Sequence, residues 1–492
     1  MQKKLVLAAT LMVFGWVNAQ TAANDSIELS RDLEEIVVSS TRMGGKTSQT
    51  AETFTADKLE ERNIGVNLPY LLSGTPSLIV TSDDGLGVGY TYFRIRGTDQ
   101  NRINMTINGV PLNDSESQTV FWVNMTDLAA SMNSVNVQRG VGSSTNGASA
   151  FGASVNMQTA KTTKNPYAQI DFNGGMYNTF RESVKFGTGL MKNGFSFDAR
   201  FSKVNSDGYV ERAFSDLYSY YASGAWYGMN TMVKLMAFGG GEKTYMAWDG
   251  IDSTTLADNR RYNPAGHYID DNGNDAFYDN QTDNYRQNHF QLHASHIFNA
   301  RWNLNAALHY TFGNGYYEQY KENRKFAEYS LPNFIDSLGN CIKKSDIVRR
   351  KNLKNHFYGG VLAVNYTHRK VNASLGGAVN NYQGDHFGNV IWVRTYNQSI
   401  PQDFEYYRSQ GNKFEANVYL KADWQIIKGL NLFGDLQYRY INYQIEGIND
   451  ENLEEIPVHE QFHFFNPKAG ISYTNSGHTT YFNFAIANRE PN

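Results

Sequence analysis

From residue 167 onward the chain alternates apolar and polar residues at every second position, in stretches of about ten residues separated by turn-forming links. Residues 413–425 show it most plainly. Phe414, Ala416, Val418, Leu420, Ala422 and Trp424 share one parity. Lys413, Glu415, Asn417, Lys421, Asp423 and Gln425 hold the other, with Tyr419 among them. Trp302, Leu304, Ala306, Leu308 and Tyr310 alternate in the same way with Asn303, Asn305 and His309. So do Phe195, Phe197, Ala199 and Phe201 with Ser196, Asp198 and Arg200. Period two sends successive side chains to opposite faces of a strand, so each segment carries one apolar and one polar face. Two architectures accept such strands: a soluble sandwich, and a membrane β-barrel whose lipid face is hidden inside the alternation.

Link lengths separate the two. Tight links occur at Lys192-Asn193-Gly194, Gly228-Met229-Asn230, Asn299-Ala300-Arg301, His368-Arg369-Lys370, Lys428-Gly429 and Asn475-Ser476-Gly477. Long polar links interleave with them, over 248–283, 321–351, 386–411 and 446–461. Short turns at one end and long loops at the other characterise outer-membrane barrels, and a sandwich has no reason to sort its loops so. The expectation is an antiparallel membrane barrel with about 13 strands between residues 167 and 492. An odd count leaves an unpaired edge in lipid, so the chain reads as the N-terminal part of a longer barrel. The 32 tyrosines and 29 phenylalanines suit aromatic girdles at the water–lipid boundary, although a carbohydrate-binding surface would use them too.

The N-terminus reads as an export signal. Lys3 and Lys4 precede an apolar run over 5–17, and Val17-Asn18-Ala19 offers small residues for cleavage before Gln20. That run is too short for a spanning helix, which needs about 20 apolar residues. Cys341 is the single cysteine, so no internal disulfide staples the exported chain. A formal net charge of −4 with no basic block points to no nucleic-acid partner.

Between signal and barrel the sequence changes character. Phe93-Arg94-Ile95-Arg96-Gly97 ends an alternating run, and Asn108-Gly109 sits between alternating apolar residues as a tight hairpin turn. Arg139-Gly140 then opens a run of small residues, rich in glycine, to Gly152, where backbone packs on backbone. In order and spacing, Arg96-Gly97, Asn108-Gly109-Val110-Pro111 and Arg139-Gly140 resemble the plug domain of TonB-dependent outer-membrane receptors. Asn108 and Val141 depart from the Asp and Pro more usual there; Asn also favours the turn, so the class stands.

The resemblance implies an α+β plug inside a barrel of roughly 22 strands. It also implies segment boundaries: signal 1–19, periplasmic segment 20–45, plug 46–160 and partial barrel 161–492. Glu34, Glu35, Ile36, Val37, Val38, Ser39 and Ser40 resemble the family's TonB box, a short strand that an energising protein grips by adding it to a sheet edge. Read without the resemblance, the same residues are simply the first plug strand. Arg96 and Arg139 are implied to lie buried between plug and wall, paired with barrel glutamates. Two plug loops are implied to meet substrate: Asp83, Asp84 and Tyr90 in one, Asn113, Asp114, Glu116 and Gln118 running on to Phe121 and Trp122 in the other. The implied partners are a TonB-type energising protein with its inner-membrane motor, outer-membrane lipid and a small nutrient. A ferric siderophore leads; cobalamin, haem or an oligosaccharide, or a non-energised adhesin or pore, are the alternatives. A monomer is expected.

Several local matches carry no chemistry. Gly85-Leu86-Gly87-Val88-Gly89 lacks the helix and spacing of a dinucleotide loop. Ser40 stands where a phosphate loop ending in Gly45-Lys46-Thr47 needs its first glycine. His289 and His293 on one strand face lie about 13 Å apart, too far to share a metal. Asp270, Asn272 and Asn274 read as a solvated loop rather than a calcium site. No catalytic set or cofactor is expected.

Overall fold

A computed structural model describes residues 51–141, 144, 151–401 and 404–491. The signal and the TonB box-like segment lie outside the described residues.

The alternating half forms one sheet of 13 antiparallel strands, each hydrogen-bonded to its neighbours in sequence, from Tyr167–Gly175 to His478–Ala485. Its polarity is inverted relative to a soluble protein. Phe195, Phe197 and Phe201 are 41–57% exposed, whereas Ser196 and Arg200 on the opposite face are buried. Val418, Leu420 and Trp424 are exposed too, and Lys413, Asn417 and Lys421 are buried. A soluble sandwich would bury the phenylalanines; a barrel in lipid turns them outward. Among the described residues no helix is long and apolar enough to cross a membrane, and the crossing elements are strands.

The tight links are turns as expected. Arg369 and Ser476 adopt left-handed φ of 49°, and Gly429 and Gly477 adopt 87° and 82°. Two of the long links are shorter than the sequence suggested. The strand Trp302–Lys325 and its partner Lys344–His368 run far into 321–351, and Val371–Val393 and Glu405–Ile427 shorten 386–411 in the same way. Beyond the lipid band both faces of a strand meet water or loop. The apolar alternation therefore lapses there, while the backbone ladder continues. The small hairpins His267–Ile269 with Asp275–Phe277, and Phe334–Ile335 with Cys341–Ile342, decorate the outer loops.

The plug fills the lumen. Five strands pair in the order Ala51–Thr55, Met132–Arg139, Ala153–Thr159, Ile103–Ile107, Val110–Pro111, and three more form Leu78–Ser82, Thr91–Ile95 and Thr98–Asp99. Asn108 and Gly109 take φ of 51° and 82°, the left-handed pair a type I′ turn requires. Gly152 is a close-approach position, because a Cβ there would lie 2.6 Å from the Thr98 Cβ. Leu59, Leu71, Ile95, Met105, Val135 and Val155 form the plug core, which continues into Tyr221, Met236 and Phe238 of the barrel wall.

Candidate ligand site above the plug

Each predicted plug loop is built by its own acidic residue. In 82–90 the buried Asp84 accepts hydrogen bonds from the amides of Leu86, Gly87 and Val88 at 3.0–3.1 Å. Its carbonyl accepts two more, from Tyr209 and Val210 of the wall. Asp83 accepts from the Tyr92 hydroxyl at 3.1 Å, and burial lifts its carboxyl to about 6 against the lowering effect of that bond. In 113–118, Asn113 accepts from the Met105 amide and donates to the carbonyls of Ile103 and Gln118. Asp114 gathers the amides of Glu116 and Ser117. Gln118 is buried with a left-handed φ of 59°.

These loops divide the predicted residues into two groups. Tyr90, Asp114, Glu116 and Phe121 face a cavity of about 750 Å³ between plug apex and barrel wall. Asp83, Asp84, Asn113, Gln118 and Trp122 do not line it. Asp84, Asn113 and Gln118 spend their hydrogen-bonding groups within the plug or against the wall. Trp122, 1% exposed, lies in the plug core beside Phe93, with its indole N–H 3.4 Å from Gln100. A large ring that reads as a ligand platform in sequence is here core, because the 3₁₀ turn Trp122–Met125 faces it inward.

Edge-to-face rings link plug to wall: Phe121 to Tyr90 at 6.3 Å, Tyr90 to Trp248 at 5.7 Å and Trp248 to Tyr317 at 5.9 Å. The Tyr90 hydroxyl donates to Asp283 at 2.7 Å and lies 3.4 Å from Glu242. Burial and these two carboxylates push the phenol well above its ordinary range, so it remains a neutral donor. Glu116 accepts from Tyr382 and His386, each at 2.8 Å. Asp283, His386 and the wall tyrosines 285, 316, 317 and 443 were not legible in the sequence. Each is one polar position among many on a lumen face, and only the curving of the sheet around the plug brings them together.

Arg96 is exposed and Arg139 half-buried, and among the described residues neither meets a carboxylate. Arg139 instead reaches the Pro76 carbonyl at 3.5 Å. Here the buried plug–wall ion cluster has the opposite polarity. Asp127 of the plug, in a left-handed turn with φ of 54°, accepts from wall Arg181 at 2.9 and 3.0 Å and from Arg200 at 3.2 Å. Ser202 and Asn63 complete its shell. Burial favours the neutral acid, but the two guanidiniums outweigh it and hold the carboxyl below the usual range. A second plug–wall tie runs through Ser144, whose amide donates to wall Asp435 and whose hydroxyl accepts from Lys468.

Comparison with known proteins agrees with this architecture. A family model described as TonB-dependent Receptor Plug Domain matches residues 45–154, and one described as TonB dependent receptor-like, beta-barrel matches 237–492. No curated protein sequence matches. Among solved structures, the ferric-catecholate import receptor Fiu from E. coli K12 in its open form superposes with a TM-score of 0.64 at 12% identity, over 92% of this chain and 73% of that one. The copper transporter OprC gives 0.66 at 11% identity, over 91% and 66%. The FpvAI–pyocin S2 complex gives 0.64 at 14% identity, over 89% and 55%. The chain thus spans about half to three quarters of the length of these structures, and the likeness is one of fold.

Proposed function

The chain belongs to the TonB-dependent receptors, and from that premise we propose that it imports a scarce small nutrient across the outer membrane. The observation that carries the proposal is the aromatic cavity of about 750 Å³, whose lining is shared between plug and wall. A ligand bound there touches the plug through Tyr90, Asp114, Glu116 and Phe121, so binding and plug position are coupled through direct contacts. Volumes of this order accommodate a compact chelate or ring system. The nutrient proposed is a ferric siderophore, in keeping with structural neighbours that are a ferric-catecholate import receptor and a ferric yersiniabactin uptake receptor. Transport needs no covalent chemistry. Energy arrives as force on residues 34–40, delivered by a TonB-type protein through strand addition, and the plug yields. Resistance to that pull comes from buried ties such as Asp127 with Arg181 and Arg200.

The test is uptake of labelled ferric chelate by cells carrying the full-length receptor with and without residues 34–40. Loss of uptake with retained binding is the expected result; uptake that survives the deletion refutes energised import. Accumulation of the receptor in outer membranes under iron starvation tests the cargo, and no rise there moves cobalamin, haem or a glycan ahead.

A further inference from the structure

The charges facing the cavity are unbalanced. Asp114, Glu116, Asp283 and Asp450 line it against one lysine, Lys351, among the described residues. Lys351 is already ion-paired with Asp450, and Glu116 is held by His386. Of the nearby guanidiniums, Arg349 is engaged on Gln319 at 2.9 Å, and Arg350 is paired with Glu318 at 2.7 Å while lying 4.3 Å over the Tyr316 ring of the lining. That leaves Asp283 without an ion pair among the described residues, while Asp114 has no ion pair of its own but acts electrostatically on His386. The Tyr90 hydroxyl donates to Asp283 and also lies near the buried Glu242, so one neutral donor serves two carboxylates. Burial and the neighbouring Glu116 raise the Asp114 carboxyl. The remaining lining mixes amides and hydroxyls with aromatic rings, the half-buried Tyr90, Trp248, Tyr316, Tyr317 and Tyr443 among them. Ring faces attract cations and repel anions.

We propose that this cavity selects a ligand carrying positive charge, such as an ammonium group, and rejects polyanionic chelates. The proposal rests on the ferric-siderophore reading above. It makes the cargo a cationic chelate, of the kind formed by a ferric trihydroxamate with a free ammonium tail. A trianionic ferric tris-catecholate is disfavoured, because its charge would be brought beside Asp114 and Asp283, where no arginine among the described lining residues receives it.

The experiment titrates the full-length receptor in detergent with two probes, an ammonium-bearing ferric trihydroxamate and a ferric tris-catecholate, at low and high salt. The trihydroxamate is expected to bind at least about tenfold tighter and to weaken as salt screens the carboxylates. Asp283→Asn in the wall and Glu116→Gln in the plug perturb different elements, so a shared effect is not one of misfolding. Each should weaken the trihydroxamate about tenfold and leave the tris-catecholate unchanged or improved. A tighter tris-catecholate, or variants with no effect on the trihydroxamate, overturns the charge inference while the siderophore reading stands. Binding of neither chelate overturns the siderophore reading, and the inference with it.

Discussion

Replacing Asp127 by Asn should loosen the plug more than any other single isosteric change in it. The side chain is 0% exposed, and its partners Arg181 and Arg200 are 4% and 3% exposed. Removing one partner of a buried pair costs about 3–5 kcal/mol, because the other charge is left buried and uncompensated. Two guanidiniums share this carboxylate, but the amide oxygen of Asn still accepts one hydrogen bond, which favours the lower end, about 3 kcal/mol. At 1.4 kcal/mol per decade that is roughly a hundredfold rise in the open population of the plug. Native-state hydrogen exchange of the amides in Met132–Arg139, in the receptor held in detergent, reads that population directly. A triple variant, Asp127→Leu with Arg181→Met and Arg200→Met, removes all three charges and should recover most of the loss. Protection within about 0.5 kcal/mol of wild type in the single variant would refute the latch, as would a triple variant no better than the single. The pH dependence has a definite sign. A depressed carboxyl contributes stability that is complete above its unfolded value of about 3.9 and is lost as pH falls through the lower folded value. Plug docking through this cluster should therefore hold constant from neutral pH to about 4 and weaken only below.

Asp83 should behave in the opposite sense. Its folded value of about 6 lies above the unfolded one, so stability falls as pH rises between about 4 and 6. Asp83→Asn should raise the melting temperature at pH 7 and change nothing below pH 4. Gly87→Ala forces a Cβ to 2.6 Å from the Tyr70 ring at a φ of 85°. Strain and overpacking together should cost roughly 2–5 kcal/mol, read as a lowered denaturant midpoint. Trp122→Ala should cost about 3–5 kcal/mol of plug stability. Phe121→Ala, at a ring 37% exposed towards the cavity, should weaken ligand binding with little loss of stability; equal effects from both would deny their separation.

Much of the fold was legible because its cause is local. Period-two alternation follows from strand geometry alone, so the exposed Phe197 and the buried Arg200 could be assigned to opposite faces without any tertiary information. The Asn108-Gly109 turn was legible for the same reason, since the left-handed backbone pair is demanded residue by residue. Strand ends were less so. Outside lipid no partition term marks the faces, and the ladder of Lys344–His368 continues where the apolar signal stops.

The site divided along the same line. Loop residues such as Tyr90 and Glu116 could be placed at the plug apex from their segment, and both line the cavity there. Their neighbours Asp84 and Trp122 look alike in sequence but turn into the plug, and a period of two or three residues carries no sign of which way an irregular loop faces. Asp283, His386, Arg181 and Arg200 sit on different strands and meet the plug only because the sheet curves around it. Electrostatic partners are fixed by distance in space, which falls off without regard to separation along the chain. The sequence by itself determined a plugged barrel with its apolar face outward. Tertiary structure alone decided that a plug aspartate is buried between two wall arginines, and that carboxylates of plug and wall meet at one cavity.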